Sequence, residues 1–380
     1  MKRIKEAVSE IRKTARKDPI VAGEGAVLFL EKVSQAIEHV DSSSGAIGTA
    51  VNNAIATLVP VIVHSPVEDK LRDEWMDRLW YAVEADNIPY LELLPDHWGE
   101  LCVTPERSSY WADELINSVR MAWSPDPLLR GYFKGTVACL SALLKAGRNT
   151  EIIELLEHAP YQTWHYRMWG VKALQNMGKS SEAILFAEES RGLNEPDFSI
   201  SEACEEILLS SDMVEEAYNL YAIQANWKTT YLATFRAITK KYPNKPPAEI
   251  LKDLVDASPG TEGKWFAAAK SVGLYDEAIE LANRTPCDPK TLSRAARDLS
   301  NIEPKFAVEA GLAALRWLVA GYGYDITSFD VRTTFDHTIK AAEIAECRSE
   351  VCERIYKLVA EKNTNESFVC SILRHKLGFR

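Results

Sequence analysis

Four segments of the chain carry the same turn. They are ACLSALLKAGRNTEIIELL (138–156), WGVKALQNMGKSSEAILFA (169–187), ACEEILLSSDMVEEAYNLY (203–221) and KWFAAAKSVGLYDEAIELA (264–282). In each, an apolar run at helical spacing stops at a residue that tolerates the left-handed backbone: Gly147, Gly178, Asp212 or Gly273. A second amphipathic run opens a few residues later behind an acid. Glycine suits the first position because a Cβ clashes at positive φ, and the acid complements the exposed N–H groups of the next helix. The turns lie 31, 34 and 61 residues apart. The wide gap holds a further break at Tyr242–Pro247 in ATFRAITKKYPNKPPAEILKDL, where proline ends one helix and begins another. A sixth falls at Asn301–Pro304, between LSRAARDLS and KFAVEAGLAALRWLVAG. Apolar residues recur at three- and four-residue spacing almost throughout, and sustained alternation of period two is hard to find. The chain therefore reads as all-α, and short helices joined by regular turns suggest a solenoid or a related stack.

GLYDEAIELA (Gly273–Ala282), behind an apolar helix starting near Trp265, resembles the turn and second helix of a tetratricopeptide repeat. MGKSSEAILFA (Met177–Ala187) is a weaker copy. Ala278 and Ala183 stand where that family places the small residue that lets two helices approach. The resemblance covers roughly residues 128 to 320. The aromatic and Leu-Gly signature of the first helix is mostly missing, and the spacing drifts between about 29 and 34 residues. It implies a right-handed α-solenoid of antiparallel helix pairs with N- and C-terminal capping helices. The expected organisation is an N-terminal helical region (1–126), the repeats (127–321) and a C-terminal helical pair and cap (322–380). Outside the repeats, helices are expected at 3–17, 24–39, 45–63, 68–85, 108–122, 327–345, 349–361 and 367–377. GLAALRWLVAGYGYDITSFDV (311–331) is similar to the C-terminal part of bacterial helical proteins with no assigned activity.

Lys and Arg number 44 against 55 Asp and Glu, a formal net charge of −11, so the whole surface cannot serve as a nucleic-acid glove. The first nineteen residues run the other way: seven cations (Lys2, Arg3, Lys5, Arg12, Lys13, Arg16, Lys17) face three acids, a local net of about +4. Ile4, Val8 and Ile11 supply one docking stripe there. The seven cysteines are odd in number and lack framework spacing, which reads as reduced thiols and a cytoplasmic home. No secretory leader is read at the N-terminus. The most apolar stretch, Ala54–Val63, is about half the length a bilayer-crossing helix needs, so no membrane span is expected.

Motifs for chemistry are sparse. HVDSSSGAIGTAVNNA (39–54) brings Ser42, Ser43, Ser44 and Gly45 to a helix entrance, where hydroxyls and free N–H groups suit an anion, although simple helix capping is the preferred reading. The string lacks a P-loop lysine and a GxSxG elbow. Neither HExxH nor a CxxC pair occurs, so no metal site and no cofactor are expected. His97 and His337 each adjoin an acid, but neighbours on a helix point apart. No catalytic residues are assigned, and the enzymatic reading is the weakest of three. The ten tryptophans are spread along the chain, as inter-helix wedges would be. APYQTWHYRMWG (159–170) is denser: Tyr161 and Trp164 suit inter-repeat packing, while His165, Tyr166 and Arg167 could form an aromatic, cationic patch.

The tetratricopeptide resemblance implies that the first helices line a concave groove. Transferred through the turns, the groove-facing positions are Lys134, Ser141 and Lys145, then His165, Lys172 and Asn176, then Lys270 and Ser271. Such a strip suits an acidic segment, a peptide carboxylate or a phosphate backbone, with Glu202 and Glu206 interrupting it. The leading expectation is a non-catalytic scaffold that binds a protein or peptide in this groove. The alternatives are a nucleic-acid-associated protein using the basic N-terminal helix with Lys240, Lys241 and Lys245, and an enzyme with its site in the groove or near the Ser42–Gly45 loop.

Overall fold

The structure is a computed structural model that describes residues 1–38, 40, 45–192, 196–361 and 367–378. All regular structure among the described residues is helical, with 21 α-helices and no strand. The chain forms two compact units, Met1–Ala217 and Tyr218–Arg380.

Unit 1 opens with α1 (Lys2–Ala15), α2 (Pro19–Ile37), α3 (Ala46–Val63) and α4 (Asp69–Ala85). A 3-10 turn at Pro95–His97 leads into the short α5 (Trp98–Cys102), followed by α6 (Pro105–Ala122). Then come α7 (Thr136–Lys145), α8 (Asn149–Glu157), α9 (Trp164–Asn176), α10 (Ser180–Glu188) and α11 (Asp197–Ser210). The next helix, α12 (Val214–Ala225), spans the division between the units. Unit 2 continues with α13 (Tyr231–Lys241), α14 (Pro247–Asp256), α15 (Phe266–Ser271), α16 (Tyr275–Arg284), α17 (Pro289–Leu299) and α18 (Pro304–Ala320). It ends with α19 (Ser328–Ile344), α20 (Arg348–Glu361) and α21 (Phe368–Lys376).

The four aligned turns share one backbone solution. Gly147, Gly178, Asp212 and Gly273 all have positive φ, from 63° to 78°. The residue after each returns its N–H to the carbonyl five positions back: Arg148 to Leu143, Lys179 to Leu174, Met213 to Leu208 and Leu274 to Ala269, at 2.9–3.1 Å. This bond satisfies a carbonyl left unpaired at the helix end and reverses the chain. Glu346 (φ 58°) makes the same turn between α19 and α20, with Cys347 N–H on Ala342. Ala183 and Ala278, at the small-residue positions, are completely buried.

One continuous apolar core in unit 1 runs from Ile4 to Ala173 and includes residues on both sides of position 126. The tryptophans, scattered in sequence, partly converge: Trp98 lies edge-on to Trp80 (5.5 Å) and Trp111 (5.0 Å), and Phe133 flanks Trp80. Arginines tie the helix ends. Arg72 is buried and donates to the carbonyls of Ile62 and Ser65 beyond the end of α3, while Arg107 joins the Cys102 carbonyl to Asp69 and Asp73.

One helix among the described residues, α3, is long and apolar enough to cross a membrane, with a mean hydropathy of 1.7 over 18 residues. It extends eight residues further toward the N-terminus than the apolar stretch read from the sequence. Ile47, Val51, Ala54, Ile55, Leu58 and Ile62 are buried on one face, whereas Thr49, Asn53 and Pro60 are exposed on the other. That division matches a helix packed into a protein core.

Candidate functional site

The expected groove face of α7 already has an occupant. Residues 95–102, a 3-10 turn running into α5, pack on α7. The Gly99 N–H donates to the Ser141 hydroxyl (3.0 Å), which donates in turn to the Asp96 carbonyl (2.9 Å). A Cβ on Gly99 would lie 2.4 Å from the Ser141 carbonyl oxygen and 2.8 Å from the Lys145 Cβ, so only glycine allows this approach. The segment crosses α7 at Ser141 and Lys145, the two positions assigned to the groove. Its sequence, PDHWGELC, carries two acids, Asp96 and Glu100.

Among the described residues no segment covers the face of α9 that carries His165 and Lys172. A hollow of about 520 Å³ lies between α9 and α11, lined by His165, Lys172 and Gln175 on one wall and Ser199, Glu202 and Glu206 on the other. A neighbouring hollow of about 410 Å³, reached past His165, is lined by Tyr132, Lys134 and Tyr166. Lys172 centres the larger one. The residue is exposed, and its Nζ sits 4.5 Å from the Trp169 ring. Surrounding protein desolvates the ammonium and holds its pKa below the usual lysine range, against the pull of Asp96, Glu100 and Glu206. Asp96 is the counterpart: burial raises its carboxyl above the ordinary aspartate range, against the pull of His165, His97 and Lys172. Its Oδ2 is buried without a hydrogen-bond partner. His97 and Glu100 form an outer pair at 3.2 Å.

The other groove positions have different duties. Lys134 precedes α7 and places its ammonium on the carbonyls of Glu84 (2.9 Å) and Asp86 (2.5 Å), closing the end of α4. Arg167 is buried, stacked 3.6 Å over the Phe186 ring and bonded to Ser190 Oγ (2.6 Å) and the Phe186 carbonyl (2.7 Å). Tyr166 packs edge-on to Trp123, Trp164 is buried, and Tyr161 is exposed. Lys145 and Asn176 are exposed, Asn176 reaching Asn149 at 3.5 Å. In unit 2, half-buried Lys270 acts electrostatically on Asp298, and the Ser271 hydroxyl turns back to the Ala268 carbonyl. Ser42, Ser43 and Ser44 lie outside the described residues. Gly45 stands at the head of α3 with φ 67°.

Other groups with chemical potential are inert or incomplete. Burial pushes the thiols of Cys102, Cys139 and Cys287 up to about 12, far from a nucleophilic thiolate. Ser293 Oγ lies 3.4 Å from His337 Nδ1, a long hydrogen bond. Among the described residues no three His, Cys, Asp or Glu side chains gather as a metal site. The turn alignment pointed to α9 and α11, but it carried no sign of Asp96 or Glu100, which act on Lys172 from 76 and 72 positions earlier in the chain. No known family's sequence model matches this chain, and no curated protein is found to be similar to it.

Proposed function

We propose that the chain is a non-catalytic scaffold whose helix pairs stack as a tetratricopeptide-like solenoid, and that the hollow between α9 and α11 binds a short acidic segment of a protein partner. The observation that carries this reading is the chain's own segment 95–102 lying across α7. It is a turn of helix with a glycine against the host helix and two acids, and both acids act on Lys172. α9 offers a surface that no segment covers among the described residues. A guest acid there would meet Lys172 and His165, while its donors face Glu202 and Glu206 on the opposite wall. Charge-assisted bonds in a partly desolvated hollow are stronger than on an open surface. The acids of α11 also set a direction, since they repel any guest that turns its carboxylate toward them.

Selection from a random peptide library displayed on phage tests the proposal. The expected result is recovery of peptides sharing an Asp or Glu at one position, with affinity falling at least about tenfold on Lys172→Glu. Recovered peptides with no shared acid, or affinities indifferent to Lys172→Glu, would overturn it.

A further inference from the structure

A second groove lies in unit 1 between α1 and α3, with a volume of about 450 Å³. One wall is the α1 stripe Lys5, Ser9, Arg12 and Arg16; the other is the α3 stripe Asn53 and Thr57. Both repeat at the three- and four-residue spacing of a helix face. The floor is apolar and small, from Ile4, Val8, Ala50 and Ala54. Among the described residues no carboxylate lines it. Lys13 at its edge is paired with Glu10 at 2.6 Å, and Lys2 pairs with Glu6 on the far side. Lys5, Arg12 and Arg16 have no ion pair among the described residues, and all three are exposed.

The geometry points to a docking site for an acidic amphipathic helix from a protein partner, and we propose that this groove serves as one. Three unpaired cations spaced seven and four residues apart span about 16 Å at the helical rise. A guest helix lying alongside would match them with acids at the same spacing and place small or apolar residues on the floor. Nucleic acid fits less well. The groove holds no aromatic ring for a base to stack on, and a phosphodiester strand would leave the apolar floor uncovered. A membrane surface fits less well too, because Ile4, Val8 and Ile11 of α1 pack against the core. This inference is independent of the α9–α11 site.

The test uses the full chain and a fluorescein-labelled, lactam-bridged helical peptide of about 16 residues with Glu matched to Lys5, Arg12 and Arg16 and Ala or Leu toward the floor. Its companion carries Gln in place of each Glu. Fluorescence anisotropy is expected to show the Glu peptide binding at least about tenfold tighter, a preference abolished by Arg12→Glu with Arg16→Glu and retained in Lys2→Glu. Unchanged circular dichroism and melting temperature would show that the double variant folds. Equal affinity for the two peptides would overturn the proposal, as would no binding of either. An oligothymidylate of 15 nucleotides or a phosphatidylserine vesicle binding more tightly than the Glu peptide would also overturn it, reassigning the groove to a phosphate-bearing partner.

Discussion

The Ser141 hydroxyl is shared between two partners on one segment, accepting from the Gly99 amide at 3.0 Å and donating to the Asp96 carbonyl at 2.9 Å. Gly99→Ala would drive a Cβ into the α7 backbone, which has no slack to yield. Loss of about 2–4 kcal/mol is expected in denaturant titration. Ser141→Ala, which orphans the buried Gly99 amide without a clash, is expected to cost about 1–3 kcal/mol. Equal, negligible effects would show that the segment is not held on α7.

Arg167 and Lys172 are five residues apart on α9 and are expected to behave as opposites. Arg167→Ala removes a guanidinium packed on Phe186 and takes its donors from Ser190 Oγ and Glu189, while the Phe186 carbonyl keeps only the Ser190 hydroxyl. A loss of about 2–3 kcal/mol follows. Lys172→Ala faces the open hollow and should stay within about 0.5 kcal/mol of the parent protein. Chemical denaturation of the pair measures the contrast.

Asp96→Asn is expected to stabilise unit 1 in a pH-dependent way. Burial raises this carboxyl, so the folded state holds the proton more tightly than the unfolded chain does. Stability from this group is present below the unfolded aspartate pKa and is lost as pH rises through the folded one. The gain from the substitution should therefore be larger at pH 7.5 than near pH 4, as read by melting temperature.

His337 works in the other sense. Burial and the nearby Arg297 lower its pKa below the usual 6.5, against the pull of Asp336 and Asp298. The unfolded chain then takes up the proton first, so stability falls as pH drops from 6.5 to the folded value. Replacing His337 with Gln should flatten that slope in unit 2. An unaltered slope between pH 7 and 5 would exclude His337 as its source.

The turns were legible because each is a local event: four residues suited to positive φ sit where apolar periodicity breaks, and all four adopt it. The helix pair at the C-terminal end was legible from its apolar spacing alone, since its turn residue, Glu346, carries no such mark. Residues 95–102 were not. PDHWGELC is too short for a helical period to register, and its partner Ser141 lies 42 positions away. That segment takes Ser141, and helix ends claim Lys134 and Arg167, so part of the polar set that the turn alignment and the 159–170 string offered holds the fold together. His165 and Lys172 line one hollow, but the acids that act on Lys172 come from an earlier part of the chain, Asp96 and Glu100, or from α11, Glu206.

The covered face of α7 also sets a competitive threshold. A segment tethered to its host through a single intervening helix is present at a local concentration on the order of millimolar, never diluted and never titrated away. A free peptide offered to that face has to outbid an occupant that cannot leave, whereas α9 carries no such occupant among the described residues. Selectivity between two adjacent helices of similar register thus needs no difference in their side chains. It follows from which of them the chain has already supplied with a ligand.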